Sequence, residues 1–390
     1  VYHHRTPSNL VGGLIYFIIY PHSLWLFLIR PLMNGGADFW PESWFLENNP
    51  NIINIASWQE FVSGAGIGWK LFLLKLPYLI AEIIMVILII KMLDAKEKKE
   101  RVLNFLIFNP VSLFVIYIFG SYDIIPVLLF VLSLYFAKKE KISPAIFMLG
   151  LAVYIKVYMI FLMPLYIFIM CRDWQRRAGL ALLGFLPGIL VSIIAVFKGE
   201  FVSGLKFLLG SVHTDYVLAL VLPSQYLSDR IYPFITAYCL IMLFILHSRT
   251  HNEKNLFLDL SGLSLALSLL FYSLCFFHPQ YFLLIVPLMA FQISKDKRMQ
   301  PWFFILAVCF FIYVLQWGKD LSWRLFMPLN PPLFSGLSSP SELISRVYPA
   351  DKFIGIFRSI FSAACFWIIY NLLKKGEGSR NDFGNNPGIQ

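Results

Sequence analysis

Apolar residues dominate this chain in long unbroken runs, and the polar positions are confined to short punctuation between them. Runs fall at about 11–33, 70–92, 103–119, 124–137, 144–155, 157–170, 178–197, 232–247, 256–277, 281–293, 301–317 and 353–373. Many are close to the roughly 17–25 residues that cross a bilayer core as a helix. Neither the alternation of a half-buried strand nor the single apolar stripe of a soluble helix organises them. The pattern predicts an all-α polytopic membrane protein, a bundle of about 10–12 transmembrane segments.

The connections between runs are of two kinds. KMLDAKEKKER (91–101), KKEK (138–141), CRDWQRR (171–177), HSRTHNEK (247–254), SKDKR (294–298) and KKGEGSR (374–380) are short and basic. With Arg5 they hold 20 of the 32 Lys and Arg residues, whereas the intervening loops hold eight and the apolar runs four. Lys and Arg concentrate in short cytoplasmic loops. Both termini are therefore expected inside, in a multi-pass plasma membrane protein. Residues 1–380 read as a single membrane domain, with 381–390 a disordered cytoplasmic tail. Three long loops, 34–69, 198–231 and 318–352, are expected outside. The first and last are dense in Trp and Pro, a composition suited to short helices lying at the interface.

Composition sharpens this picture. The chain is 58% hydrophobic and 14% charged, with 38 Phe, 19 Tyr and 10 Trp among 390 residues. A soluble domain carries nearer a quarter charged residues, so that class is excluded. The net charge of +10 lies in loop clusters, which points to membrane lipid as the partner and away from nucleic acid. Five cysteines with no CxxC spacing read as small packing residues.

Ionisable residues inside such a chain need a reason. Residues 144–170 must enter and return within 27 residues between two basic clusters, and Lys156 sits at the turning point. Two half-depth helices meeting at a lysine require a turn buried in protein or lining a polar cavity, the alternative being a merely short hairpin whose Lys156 snorkels to the outer surface. Asp123, in YIFGSYDIIP, and His278-Pro279-Gln280-Tyr281, in CFFHPQYFLLIVP, occupy turns at the same expected membrane level. Glu82 falls near mid-bilayer and must be protonated, paired or facing a wet cavity. No GxGxxG with an acidic partner, P-loop, HExxH or GxSxG motif is present.

The segments KLPYLIAEI, FNPVSLFVIYIFGSYD, GLAVYIKVYMIF and FFHPQYFLLIVP carry four motifs in one order. These are an Asn-Pro opening a span, a Gly-x-Tyr-Asp turn, a Lys-x-Tyr hairpin and a His-x-x-Tyr turn. In this the chain resembles the GT-C superfamily of membrane glycosyltransferases over about residues 70–295. More narrowly it resembles prokaryotic relatives of the GPI mannosyltransferase catalytic subunit and polyprenyl-phosphate-mannose-dependent enzymes.

The resemblance implies an inverting hexosyltransferase that moves mannose from a polyprenyl-phosphate-linked donor to a lipid-linked or envelope glycan. Transfer would take place on the extracytoplasmic face. Its catalytic base would be an acid of the first outer loop, Asp38 in NGGADFWPES, with Glu42 as second choice. Because the chain opens on Val1, sequence preceding it could also hold the base. Lys156, with His278 or Arg30, would neutralise the donor phosphate. Tyr122, Asp123, Tyr158, Gln280 and Tyr281 would shape the sugar site. No cofactor is implied with certainty; a divalent metal is left open, with no ligand cluster evident. A secondary transporter is the principal alternative, and a scaffold subunit of an envelope-glycan assembly complex a further one.

Overall fold

A computed structural model describes residues 24, 25, 27–29, 32, 45, 46, 49–53, 63, 64, 66–197, 219–223, 230–248 and 256–384. Among these, four helical stretches, Ile67–Lys91, Lys96–Ile118, Met299–Trp317 and Ala350–Lys374, are long and apolar enough to cross a membrane, and five shorter apolar helices accompany them. The chain is an all-α polytopic membrane protein. The first described span, α1 (Ile67–Lys91), is about 37 Å long at 1.5 Å per residue, ample for a hydrocarbon core of about 30 Å.

The run expected as one helix over 103–119 is broken. Helix α2 (Lys96–Ile107) stops at Phe108, and Asn109 starts a new helical segment. The Asn109 carboxamide oxygen accepts from the backbone N–H groups of Val111 and Ser112 at 3.0 and 3.2 Å. Pro110 fills the first helical position, where no donor is needed. Residues Leu113–Ile118 then run as a π-helix. Gly120, at φ +76°, ends it with a left-handed residue that a side chain would strain.

Helices α3 (Ile124–Lys138) and α4 (Ile142–Ile155) form a hairpin. At Lys156 the backbone is extended, and a 3₁₀ turn, Val157–Phe161, leads into α5 (Leu162–Met170). Two short helices broken at Lys156 are what the pattern over 144–170 predicts. α6 (Trp174–Phe197) packs on α4 where two glycines face each other. A Cβ on Gly150 would lie 2.1 Å from the Gly184 carbonyl oxygen. Small residues of this kind let membrane helices approach closely.

The second half comprises α7 (Pro233–Ser248), α8 (Leu256–Leu274), a 3₁₀ turn Pro279–Leu284, α9 (Ile285–Lys295) and α10 (Met299–Val314). After 3₁₀ turns at Leu315–Trp317 and Trp323–Phe326 come the short helices α11 (Pro331–Gly336) and α12 (Pro340–Ser345), then α13 (Ala350–Gly384). The loop over 318–352 thus carries the short helices expected of it. The loops over 34–69 and 198–231 differ, each containing a small antiparallel ribbon. These are β1 (Phe45–Leu46) with β2 (Asn49–Ile53), and β3 (Leu222–Pro223) with β4 (Arg230–Ile231).

The core runs through the centre of the bundle, where α8 packs against α3, α5, α9 and α13. α8 carries Ser261, Ser264, Ser268 and Ser273, all buried. The ends of α9 and α2 are tied by Arg101, which donates to the Ile293 carbonyl at 3.3 Å. Lys138 closes the same basic end through Asp94 at 3.1 Å.

Candidate functional site

At the opposite end, three polar turns from distant parts of the chain meet. The first is GSYD. Beyond Gly120, the Ser121 N–H reaches back 3.0 Å to the Val115 carbonyl, which folds the turn over the π-helix. The Ser121 hydroxyl donates to the Asp123 carboxylate, and the Asp123 N–H lies 3.3 Å from that hydroxyl. Asp123 is 0% exposed. A carboxylate this deep requires a counter-charge.

That counter-charge is Lys156, whose ammonium lies 3.3 Å from Asp123 Oδ1. The contact is an ion pair without hydrogen-bond alignment. Lys156 is at the break between α4 and the following 3₁₀ turn, so its side chain leaves from a helix end and enters the bundle. Its ammonium sits over the Tyr122 ring at 4.5 Å and the Tyr281 ring at 5.2 Å. Aromatic faces stabilise a desolvated cation by about 2 kcal/mol or more. Snorkelling is excluded by this geometry, since only 12% of the side chain is exposed.

The third turn is HPQY. Tyr281 stacks on Tyr158 with ring centres 4.3 Å apart. Its carbonyl accepts from the hydroxyls of Tyr272 and of Tyr158, the latter at 3.4 Å. His278 packs edge-on to Tyr281 at 5.8 Å and lies 6.2 Å from the Trp317 ring. Gln280 presents a buried carboxamide oxygen with no hydrogen-bond partner among the described residues. The structure therefore gathers Tyr122, Asp123, Lys156, Tyr158, His278, Gln280 and Tyr281 at one end of the bundle. Arg30, Asp38 and Glu42 lie outside the described residues.

Three further ionisable groups complete the picture. Glu82 accepts from the Tyr117 hydroxyl, so its depth is explained by a partner on the adjacent span. Seven residues earlier on the same helix, Lys75 donates to the Tyr117 carbonyl directly beneath the GSYD turn. Arg358, on α13, donates to the Cys275 carbonyl at 2.8 Å, just before HPQY. Sequence reasoning counted Lys75 and Arg358 among the four cations within apolar runs without assigning either a role. Their position in the runs was the available signal. Among the described residues no group of three His, Cys, Asp or Glu side chains could hold a metal ion.

Membrane spans with charged turns converging at one end define a polytopic membrane protein built around an intramembrane polar site. The chain belongs to glycosyltransferase family 87, whose sequence model matches residues 71–273, just over half its length. This supports the resemblance at the level of a GT-C-like membrane glycosyltransferase family. The matched region contains the Asn-Pro, GSYD and Lys156 motifs, and HPQY lies a few residues beyond it. No curated protein and no solved structure matches the chain.

Proposed function

We propose that this glycosyltransferase transfers a hexose, mannose by preference, from a polyprenyl-phosphate-linked donor to a lipid-linked or envelope glycan. The site would face the extracytoplasmic side, as the distribution of Lys and Arg indicates. The observation that carries this reading is the buried Asp123–Lys156 pair, walled by Tyr122 and Tyr281 at the meeting of the three motif turns. A cation held rigidly among aromatic rings at a bundle end suits a lipid-borne phosphate, and flat ring faces suit a sugar.

A glycosyl phosphate already carries its leaving group, so transfer needs a base for the acceptor hydroxyl and positive charge for the departing phosphate. The base would be Asp38, or Glu42. A single base implies inversion at the anomeric carbon. Lys156 is paired with Asp123, so it would act as a fixed hydrogen-bond donor more than as a free charge, with His278 or Arg30 supplying further positive charge. Gln280, with its unpartnered oxygen, would take a sugar hydroxyl.

Membranes containing the protein would be given radiolabelled polyprenyl-phosphate mannose or glucose and assayed for transfer to glycan. The expected result is transfer from the mannose donor, lost in Asp38→Asn. Turnover unchanged by Asp38→Asn would remove Asp38 from the role of base. Uptake of a free solute without any transfer would return the protein to the transporter reading.

A further inference from the structure

The carbonyls that lead into HPQY are satisfied by side chains from two other helices. An α-helix leaves its last carbonyls without intrahelical donors, and a buried carbonyl left unpaired is costly. At the end of α8, Ser362 of α13 donates to the Ser273 carbonyl at 2.9 Å. Arg358, one turn earlier on α13, donates to the Cys275 carbonyl at 2.8 Å. Tyr313 of α10 donates to the Phe277 carbonyl at 2.9 Å. Three alternate carbonyls, 273, 275 and 277, are thus clamped in sequence, and His278 is the next residue.

Arg358 is the centre of the clamp. Its guanidinium lies over the rings of Phe277, Tyr313 and Phe361 at 5.1–5.2 Å. No carboxylate pairs with it among the described residues. What offsets its desolvation is the negative end of the α8 dipole together with three aromatic faces. A cation in such a place, bonded to one carbonyl of a turn and stacked on the turn's Phe277, fixes that turn. Merely filling space would take a leucine.

We propose that Arg358 is a positioning residue for the His278–Tyr281 turn, so that α13, beyond the family-matched region, completes the site. The proposal rests on the glycosyltransferase reading only for its catalytic consequence; the ordering of the turn stands separately. The test compares wild type with Arg358→Met and Arg358→Lys in detergent. Hydrogen exchange would be followed across 275–284 and, as an internal reference, across α3 and α4. Mannose transfer from polyprenyl-phosphate mannose would be measured in parallel.

Arg358→Met is expected to raise exchange of the 275–284 amides by about ten-fold, the loss of one charge-assisted hydrogen bond, with α3 and α4 unchanged. In the transfer assay kcat should fall by a similar factor with KM little altered. Arg358→Lys, which keeps a cation and a donor, should recover most of both. Unchanged exchange over 275–284 in Arg358→Met overturns the proposal, as does exchange raised equally throughout the bundle. If Met prevents folding, Arg358→Lys decides: wild-type turnover and protection support the proposal, and wild-type protection with turnover lost overturns it. Should wild type transfer no sugar, the exchange arm still decides about Arg358, and only the functional reading fails.

Discussion

The ammonium of Lys75 donates to the backbone carbonyl of Tyr117, so a cation from one span closes the C-terminal end of the next. Such a cap meets both the orphan carbonyl and the negative end of the helix dipole. It also fixes the height at which Gly120 turns the chain toward Asp123. A Cβ on Gly120 would lie 3.4 Å from Lys75 Cε.

Gly120→Ala should therefore cost about 1–2 kcal/mol from the left-handed backbone alone. Because the strain sits immediately before Ser121 and three residues before Asp123, transfer activity should fall more than the thermal midpoint suggests. Calorimetry and the transfer assay on one preparation check this; wild-type turnover in a destabilised variant would contradict it.

Tyr117 and Glu82 form a hydrogen-bonded pair within the spans, and the two partners are unequal. Tyr117→Phe strands a carboxyl in the bundle and should destabilise by about 1–3 kcal/mol. Glu82→Gln keeps an acceptor for the hydroxyl and should cost less. Unfolding midpoints in detergent compare them directly.

Removing one member of the Asp123–Lys156 pair leaves the other charge buried, a change worth about 3–5 kcal/mol. Asp123→Asn and Lys156→Met should each approach that cost, while the double variant should cost far less than their sum. Additive effects in the double-mutant cycle would show that the two charges do not interact.

At the crossing of α4 and α6, the two glycines should respond differently. Alanine at 150 drives its methyl into the Gly184 carbonyl, a backbone atom that cannot yield, and should cost about 1–3 kcal/mol. Alanine at 184 first meets the flexible end of Met163, at 2.9 Å, and Ile146 at 3.2 Å. It should be the milder change in unfolding measurements.

Much of this was legible in the sequence because charge is costly in hydrocarbon and so stands out. Asp123, Lys156 and His278 announce themselves as polar positions between apolar runs, and loop charge gives their common level. The lateral meeting of the three turns required the fold, since sequence reports depth along a span and not which spans adjoin. Arg358 escaped notice for a related reason: its partner is a backbone carbonyl 83 residues away, and no side-chain pattern reports such a contact. The break at Asn109 lies inside a run that is apolar on both sides of it, so hydropathy alone misses it; the Asn-Pro read as opening a span is what marks it.

The brevity of α4 has a consequence for the bilayer itself. Its 14 residues extend only about 21 Å, some 9 Å short of a typical hydrocarbon core of about 30 Å. If Lys141 marks the basic interface, Lys156 would stand below the level that α1 is long enough to reach. Any lipid that adjoins so short an element would have to thin or admit water to meet the mismatch. For the lipid-borne donor proposed above, bilayer thickness would then become a control on access to Lys156. Turnover in vesicles of increasing acyl-chain length should decline accordingly.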